Sequence, residues 1–97
     1  MKVIARPVGT GKTKELLDAA VEADGLVLTT NKRALAAKAK AYGFDETLEF
    51  VEWNDILYGD YDRNKPLFIH KMDDVFQEYL KYDFGLDLAG YSIALEE

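Results

Sequence analysis

The sequence contains no cysteine, only two prolines and a single histidine. Without cysteine there are no disulfide bonds and no thiolate metal sites, and one histidine cannot form a histidine-based metal cluster or a histidine dyad. No apolar run approaches the ~20 residues that cross a bilayer, and the N-terminal apolar run is too short for a secretory signal. These absences predict a cytoplasmic protein with no membrane attachment.

Positive charge is also scarce, with 12 Lys and Arg residues against 18 Asp and Glu residues and a net charge of −6. General nucleic-acid binding requires clustered cations that meet phosphates, so this balance argues against a nucleic-acid partner. It does not argue against a single nucleotide, for which a few local donors suffice. The 97 residues, 48% of them hydrophobic and 31% charged, predict one globular domain over residues 1–97.

Short apolar runs alternate with segments of helical periodicity along the chain. The predicted strands are residues 2–5, 26–30, 48–53, 66–69 and 91–95. The predicted helices are residues 13–23, 32–42 and a segment that ends at Gly85, with a short helical turn at residues 54–58. This alternation predicts a three-layer α/β/α fold with a mostly parallel sheet of four to five strands.

Polar residues mark where the helices start. Asn31 or Thr30 is expected to cap the second helix. Asp74 is expected to cap the last helix, with Gln77 as its capping-box partner. The inner stripe of that helix is predicted to comprise Val75, Phe76, Tyr79 and Leu80.

The segment GTGKT at residues 9–13 lies between a predicted strand and a predicted helix. A glycine-rich loop in this position directs successive backbone N–H groups at one anion, while Lys12 reaches outer phosphates and the Thr13 hydroxyl meets a magnesium ion. The candidate nucleotide-binding residues are Val8, Gly9, Thr10, Gly11, Lys12, Thr13 and Lys14. The alternative is a strand-to-helix turn whose glycines serve the backbone alone.

The same segment resembles the phosphate loop of P-loop NTPases, whose full pattern is GxxxxGK[ST]. The first glycine of that pattern falls on Arg6, which would either crowd the loop or add a donor to it. Residues 26–34 and 50–59 are similar to segments that follow the first helix in superfamily 1 helicases, and residues 65–76 occupy the place of the Walker B strand. The resemblance implies a minimal, truncated P-loop domain of the helicase or AAA+ type.

The sequence departs from that family at the Walker B strand, which in the family ends in Asp-Glu and here ends in His70 and Lys71. Magnesium prefers oxygen ligands, so this pair makes it an unsuitable cofactor. The departure predicts impaired or absent hydrolysis, with ATP, another nucleotide, phosphate or sulfate as the ligand. Lys71 would then supply charge in place of the metal and neutral His70 would hydrogen-bond Thr13, or the site has decayed and Lys71 faces solvent.

The resemblance is expected to cover only the first half of the family's core, without a second lobe, so a helicase motor activity does not carry over from it. The alternative function is a non-catalytic, ATPase-like interaction protein, of the kind that phages encode, which binds a larger protein or a second copy of itself. A shortened sheet leaves an edge and apolar flanks open to such a partner. The expected surface anchors, some of which could instead stack on bases, are Phe44, Phe50, Trp53, Tyr58 and Tyr61.

Overall fold

The computed structural model describes residues 3–4, 11–44 and 48–92. In chain order its elements are α1 (Lys12–Ala23), β1 (Leu26–Leu28), α2 (Lys32–Ala41), β2 (Glu49–Val51), α3 (Trp53–Leu57), β3 (Leu67–Ile69) and α4 (Met72–Phe84). The three strands form a parallel sheet in the order β2-β1-β3, with Val27 opposite Phe50 on one side and Phe68 on the other. The α/β class and the parallel sheet are therefore confirmed.

The central strand β1 is buried along its whole length. Because side chains alternate along a strand, Val27 belongs to one core cluster while Leu26 and Leu28 belong to another. Helices α1 and α2 supply the rest of the first cluster, and β2 and α4 supply the rest of the second: Leu17, Ala20, Leu35 and Ala39 in one, Val51 and Val75 in the other. Because both faces of β1 are buried, all three of its residues, Leu26, Val27 and Leu28, are apolar.

Helix α2 begins as its sequence indicates. The side chain of Asn31 accepts a hydrogen bond of 3.0 Å from the backbone N–H of Ala34, so Asn31 and not Thr30 is the cap. Gly43 follows the end of the helix with φ at 91°, a conformation that glycine adopts without strain. None of the helices in the described ranges is both long and apolar enough to cross a membrane.

The predicted start of α4 is wrong. The helix begins at Met72 with Lys71 as its N-cap, so Asp74 lies inside the first turn and does not cap it with Gln77. Lys71 adopts a left-handed backbone conformation and completes the turn that follows β3. The helix therefore begins two residues before Asp74, the residue that the sequence pattern indicates as its cap. The predicted inner stripe is also too wide, because Phe76 is 42% exposed while Val75 is buried.

The sheet of the described residues has three strands, not the four to five expected. Val3 and Ile4 lie in no strand, and neither do Tyr91 and Ser92. The remainder of the predicted strands at residues 2–5 and 91–95 lies outside the described residues.

The starts of α2 and α3 are tied together by a polar contact that the sequence reading did not anticipate. The backbone N–H of Lys32 donates to Glu52 Oε2 at 2.8 Å, and its ammonium lies 3.0 Å from Asp55 Oδ2. The backbone N–H of Glu52 donates to the same Asp55 oxygen at 2.9 Å. Asp55 therefore caps the short helix α3 and holds it against α2.

This contact predicts a pH-dependent stability. The pKa of Asp55 is held below its ordinary value of 3.8, mainly by the backbone hydrogen bond from Glu52 and secondly by the hydrogen bond from the Lys32 ammonium. A depressed pKa means that the stabilisation is complete above the unfolded-state value and is lost as the pH falls through the lower folded-state value. We expect Asp55→Asn to lower the free energy of unfolding by about 1 kcal/mol at pH 7.

Urea denaturation at pH 7 and at about pH 3 measures this difference, which should shrink at the acidic pH. Asp87→Asn is the matched control, since Asp87 is exposed and lies outside any helix. An Asp55→Asn penalty that is equal at both pH values would contradict the assignment.

Candidate functional site

Three polar side chains meet at one edge of the sheet. Thr29 directly follows β1, His70 directly follows β3, and Thr13 lies in the first turn of α1. Because β1 and β3 are parallel neighbours, their carboxyl ends lie at the same edge. Ligands of open α/β sheets bind outside that edge.

The imidazole of His70 bridges the two threonine hydroxyls. His70 Nε2 lies 3.3 Å from Thr13 Oγ1, and His70 Nδ1 lies 3.0 Å from Thr29 Oγ1. A neutral imidazole carries one donor and one acceptor, so one hydroxyl donates to the ring while the other accepts from it. The contact with Thr13 is the one expected from the sequence. The sequence pattern does not point to Thr29, because residues 26–30 are all predicted as one strand.

The surroundings of His70 favour its neutral form. Burial is the largest cause that lowers its pKa below the ordinary 6.5, followed by the charges of Lys71 and Lys38, while Asp74 opposes them. Lys12 lowers the pKa further. This edge of the sheet is therefore locally positive although the whole chain carries a net charge of −6.

Helix α1 presents its N-terminus to the same edge. Its N-cap, Gly11, has φ at 79° and contributes no side-chain cap to the helix. The backbone N–H groups of a helix's first turn and its dipole favour an anion. Lys12 is half-buried in that turn beside Thr13. The start of α1 therefore combines oriented N–H groups, an ammonium and a hydroxyl that contacts His70.

Lys71 has an unusual backbone at this edge. It adopts φ 55° and ψ 65°, in the left-handed region that costs a residue with a Cβ about 1–2 kcal/mol. Its side chain is exposed, and its charge acts on His70. Among the described non-glycine residues, Asp24 at the end of α1 shares this conformation.

The strain at Lys71 can be measured directly. We expect Lys71→Gly to be more stable than Lys71→Ala by about 1 kcal/mol, because glycine relieves the left-handed strain and alanine keeps it. Both variants lose the ammonium, so the difference reports the backbone alone. Chemical denaturation of the two variants measures it, and equal stabilities would show that Lys71 is not strained.

The described residues contain no group of three or more His, Cys, Asp or Glu side chains placed to hold a metal ion. Thr13, the residue expected to meet magnesium, has its hydroxyl 3.3 Å from a ring nitrogen instead of a carboxylate. Nitrogen is a poor ligand for magnesium, which prefers oxygen.

The other predicted site residues are distributed differently. Arg6, Val8, Gly9 and Thr10 lie outside the described residues. The ammonium of Lys14 lies 3.6 Å from Asp18 Oδ2, with both side chains 56% exposed, so it joins a surface pair on α1.

Four of the five expected surface anchors pack against the core. Phe44 and Phe50 contact the cluster of α1 and α2, and Trp53 and Tyr61 contact the cluster that contains Val75. The Trp53 ring also lies 4.3 Å from that of Tyr79, measured between centroids. A small domain uses these aromatics to fill the space between its helices and sheet. Only Tyr58, which is 85% exposed, is placed as an anchor would be.

Three comparisons tested the chain against known proteins. No protein-family model, no curated protein sequence and no solved structure matches it.

Proposed function

We propose that this chain binds the phosphate group of a nucleotide at the start of α1, without a metal ion and without efficient hydrolysis. The observation that carries the proposal is the 3.3 Å contact between Thr13 Oγ1 and His70 Nε2. It places an imidazole nitrogen beside the hydroxyl that would coordinate magnesium, where that metal prefers oxygen neighbours, and it holds the first turn of α1 at the carboxyl edge of the sheet. The phosphate would lie against Lys12 and the N–H groups of that turn.

Positive side chains take over the role of the metal in this proposal. Lys12 precedes Thr13 in the first turn of α1, and Lys71 directly follows His70 as the N-cap of α4, so both lysines adjoin the Thr13–His70 contact along the chain. Ammonium groups bind phosphate as point charges. They do not orient an attacking water, and phosphoryl transfer depends on that positioning and on metal charge. Binding without turnover follows.

The fuller fold belongs to the same proposal. We propose that the sheet extends beyond its three observed strands to four or five, with a layer of helices on each face. Residues 2–5 would then lead directly into the phosphate loop, as the resemblance implies.

Calorimetric titration of the purified chain with ATP in excess EDTA tests the function. We expect saturable binding that magnesium does not strengthen, together with a rise in melting temperature at high ATP. Phosphate release should stay at the rate of the buffer blank. Brisk magnesium-dependent hydrolysis, or no binding of either ATP or tripolyphosphate, would overturn the proposal.

A second candidate function is supported by the exposed apolar side chains around the end of α4. Their exposed fractions are 77% for Tyr82, 59% for Phe84, 56% for Leu86 and 63% for Tyr91. Aromatic side chains of this kind dominate protein interfaces. Sedimentation analysis distinguishes this candidate: a concentration-dependent dimer that Phe84→Ser abolishes, with no thermal shift from any nucleotide, would favour an interaction protein.

A further inference from the structure

The hydroxyl of Thr29 is a buried polar group whose hydrogen-bond partner is the His70 ring. Thr29 is 3% exposed. Its oxygen lies 3.0 Å from His70 Nδ1, and within residues 3–4, 11–44 and 48–92 the hydroxyl has no other hydrogen-bond partner. The backbone holds both residues in place, because the Thr29 N–H donates to Val51 at 3.0 Å and the His70 N–H donates to Leu28 at 2.9 Å. The pairing of the hydroxyl with Nδ1 is therefore set by the sheet.

The burial of Thr29 decides the direction of this hydrogen bond. A hydroxyl has one proton to donate and two lone pairs that accept. If Nδ1 donated, the Thr29 proton would remain in the interior without an acceptor, and a buried unpaired donor costs its full desolvation penalty. If the hydroxyl donates to Nδ1, its proton is paired. The second arrangement is therefore the more stable one.

The direction of the bond at Thr29 sets the direction of the bond at Thr13. A neutral imidazole whose Nδ1 accepts carries its proton on Nε2. That N–H donates to the Thr13 hydroxyl oxygen, which lies 3.3 Å away. Thr13 is half-buried in the first turn of α1, so its own proton is left to donate outward. Hydrogen bonds in such a chain polarise one another, which strengthens the last donor.

We propose that Thr29 is a positioning residue that holds His70 in the Nε2–H form, so that the Thr13 hydroxyl donates its proton to the bound phosphate. The inference rests on the proposed function, and it adds to that function a donor and the relay that orients the donor. In the opposite form of the ring, Thr13 would donate its proton to Nε2 and present only lone pairs to the phosphate oxygens, which are themselves acceptors. The form of the ring therefore decides whether Thr13 attracts or repels the anion.

The form of the ring can be measured directly because the chain has a single histidine. Nitrogen-15 NMR of the chain without ligand at about pH 8 observes one neutral imidazole, since the pKa of His70 lies below 6.5. We expect the Nε2–H form to exceed the Nδ1–H form by at least about fivefold. Thr29→Val keeps the shape of the side chain, and the Nδ1 resonance should move to that of a ring nitrogen without a hydrogen bond. Thr29→Ser should restore the resonance, and Thr30→Val is the matched control, since neither ring contact involves Thr30.

Calorimetric titration with ATP in excess EDTA tests the donor. Thr13→Val should reduce the affinity at least about tenfold, as expected for the loss of a hydrogen bond to a charged group, and Thr13→Ser should recover most of it. Thr29→Val should reduce the affinity of the parent about threefold, because it removes the orientation of the donor and not the donor itself. In the Thr13→Val background the same change should have no effect, since Thr29 acts through the Thr13 hydroxyl. Thr30→Val should bind ATP as the parent does.

The outcomes separate this inference from the proposed function. A ring protonated mainly on Nδ1, an Nδ1 resonance that does not respond to Thr29→Val, or equal losses from Thr29→Val with and without the Thr13 hydroxyl would overturn the inference and leave ATP binding in place. If the parent chain binds neither ATP nor tripolyphosphate, the proposed function fails and the donor role of Thr13 fails with it, whichever form the ring takes. Thermal melts check that each variant is folded, and the form of the ring in the parent chain requires no variant.

Discussion

Lys12→Ala is expected to reduce the affinity for ATP about 100-fold, which corresponds to the loss of a charge-assisted hydrogen bond in a partly dry site. Lys12 is half-buried in the first turn of α1, next to the hydroxyl that His70 contacts. The helix dipole and the N–H groups of that turn remain in the variant, so some anion affinity survives. Calorimetry with ATP in EDTA measures the loss.

Lys14→Ala is the matched control for this prediction. Lys14 lies two positions further along the same helix and makes an exposed pair with Asp18. Exposed pairs of this kind contribute little to stability, so the variant should fold and bind ATP as the parent does. Equal losses in the two variants would mean that general positive charge on α1, and not a defined site at its start, attracts the nucleotide.

The contact between Thr13 and His70 could be anticipated from the sequence because it depends on topology. A phosphate-loop pattern places Thr13 at a helix start, and parallel strands place His70 at the same edge. The contact of Thr29 with the other ring nitrogen escaped the sequence reading, since a threonine after an apolar run extends a strand as readily as it ends one.

The start of α4 and the Glu52–Asp55 cap show the limits of local patterns. Asp74 carries a good capping signal, but the path out of β3 puts Lys71 in the left-handed region and starts the helix before it. Asp55 accepts a hydrogen bond from Lys32, which lies 23 residues earlier in the sequence. A pattern of neighbouring residues does not reveal such a distant partner. The aromatic residues are predicted as surface anchors because their spacing does not reveal which of them a helix covers on either face of the sheet.

Gly25→Ala is expected to lower the free energy of unfolding by about 1–3 kcal/mol, the usual cost of added volume in a packed core. Gly25 is buried between the end of α1 and β1, and its backbone is not in the left-handed region. The cost is therefore steric. A Cβ at this position would lie 2.6 Å from Phe68 Cε2 and 2.9 Å from the Pro66 carbonyl oxygen. At about 4–8 °C per kcal/mol for a domain of this size, the melting temperature should fall by roughly 5–20 °C.

Two further variants identify the source of that loss. Gly90→Ala is the control, because a Cβ there meets no atom within 4 Å. Replacing Phe68 by leucine in the Gly25→Ala background removes the ring atoms nearest the new methyl group, so the double variant should lose less than the sum of its single variants. The rescue should be partial, because the Pro66 carbonyl accepts the backbone hydrogen bond of Leu26 at 3.0 Å and is held in place. Additive losses in the double variant would mean that the close approach of Gly25 and Phe68 does not fix the spacing between α1 and the sheet.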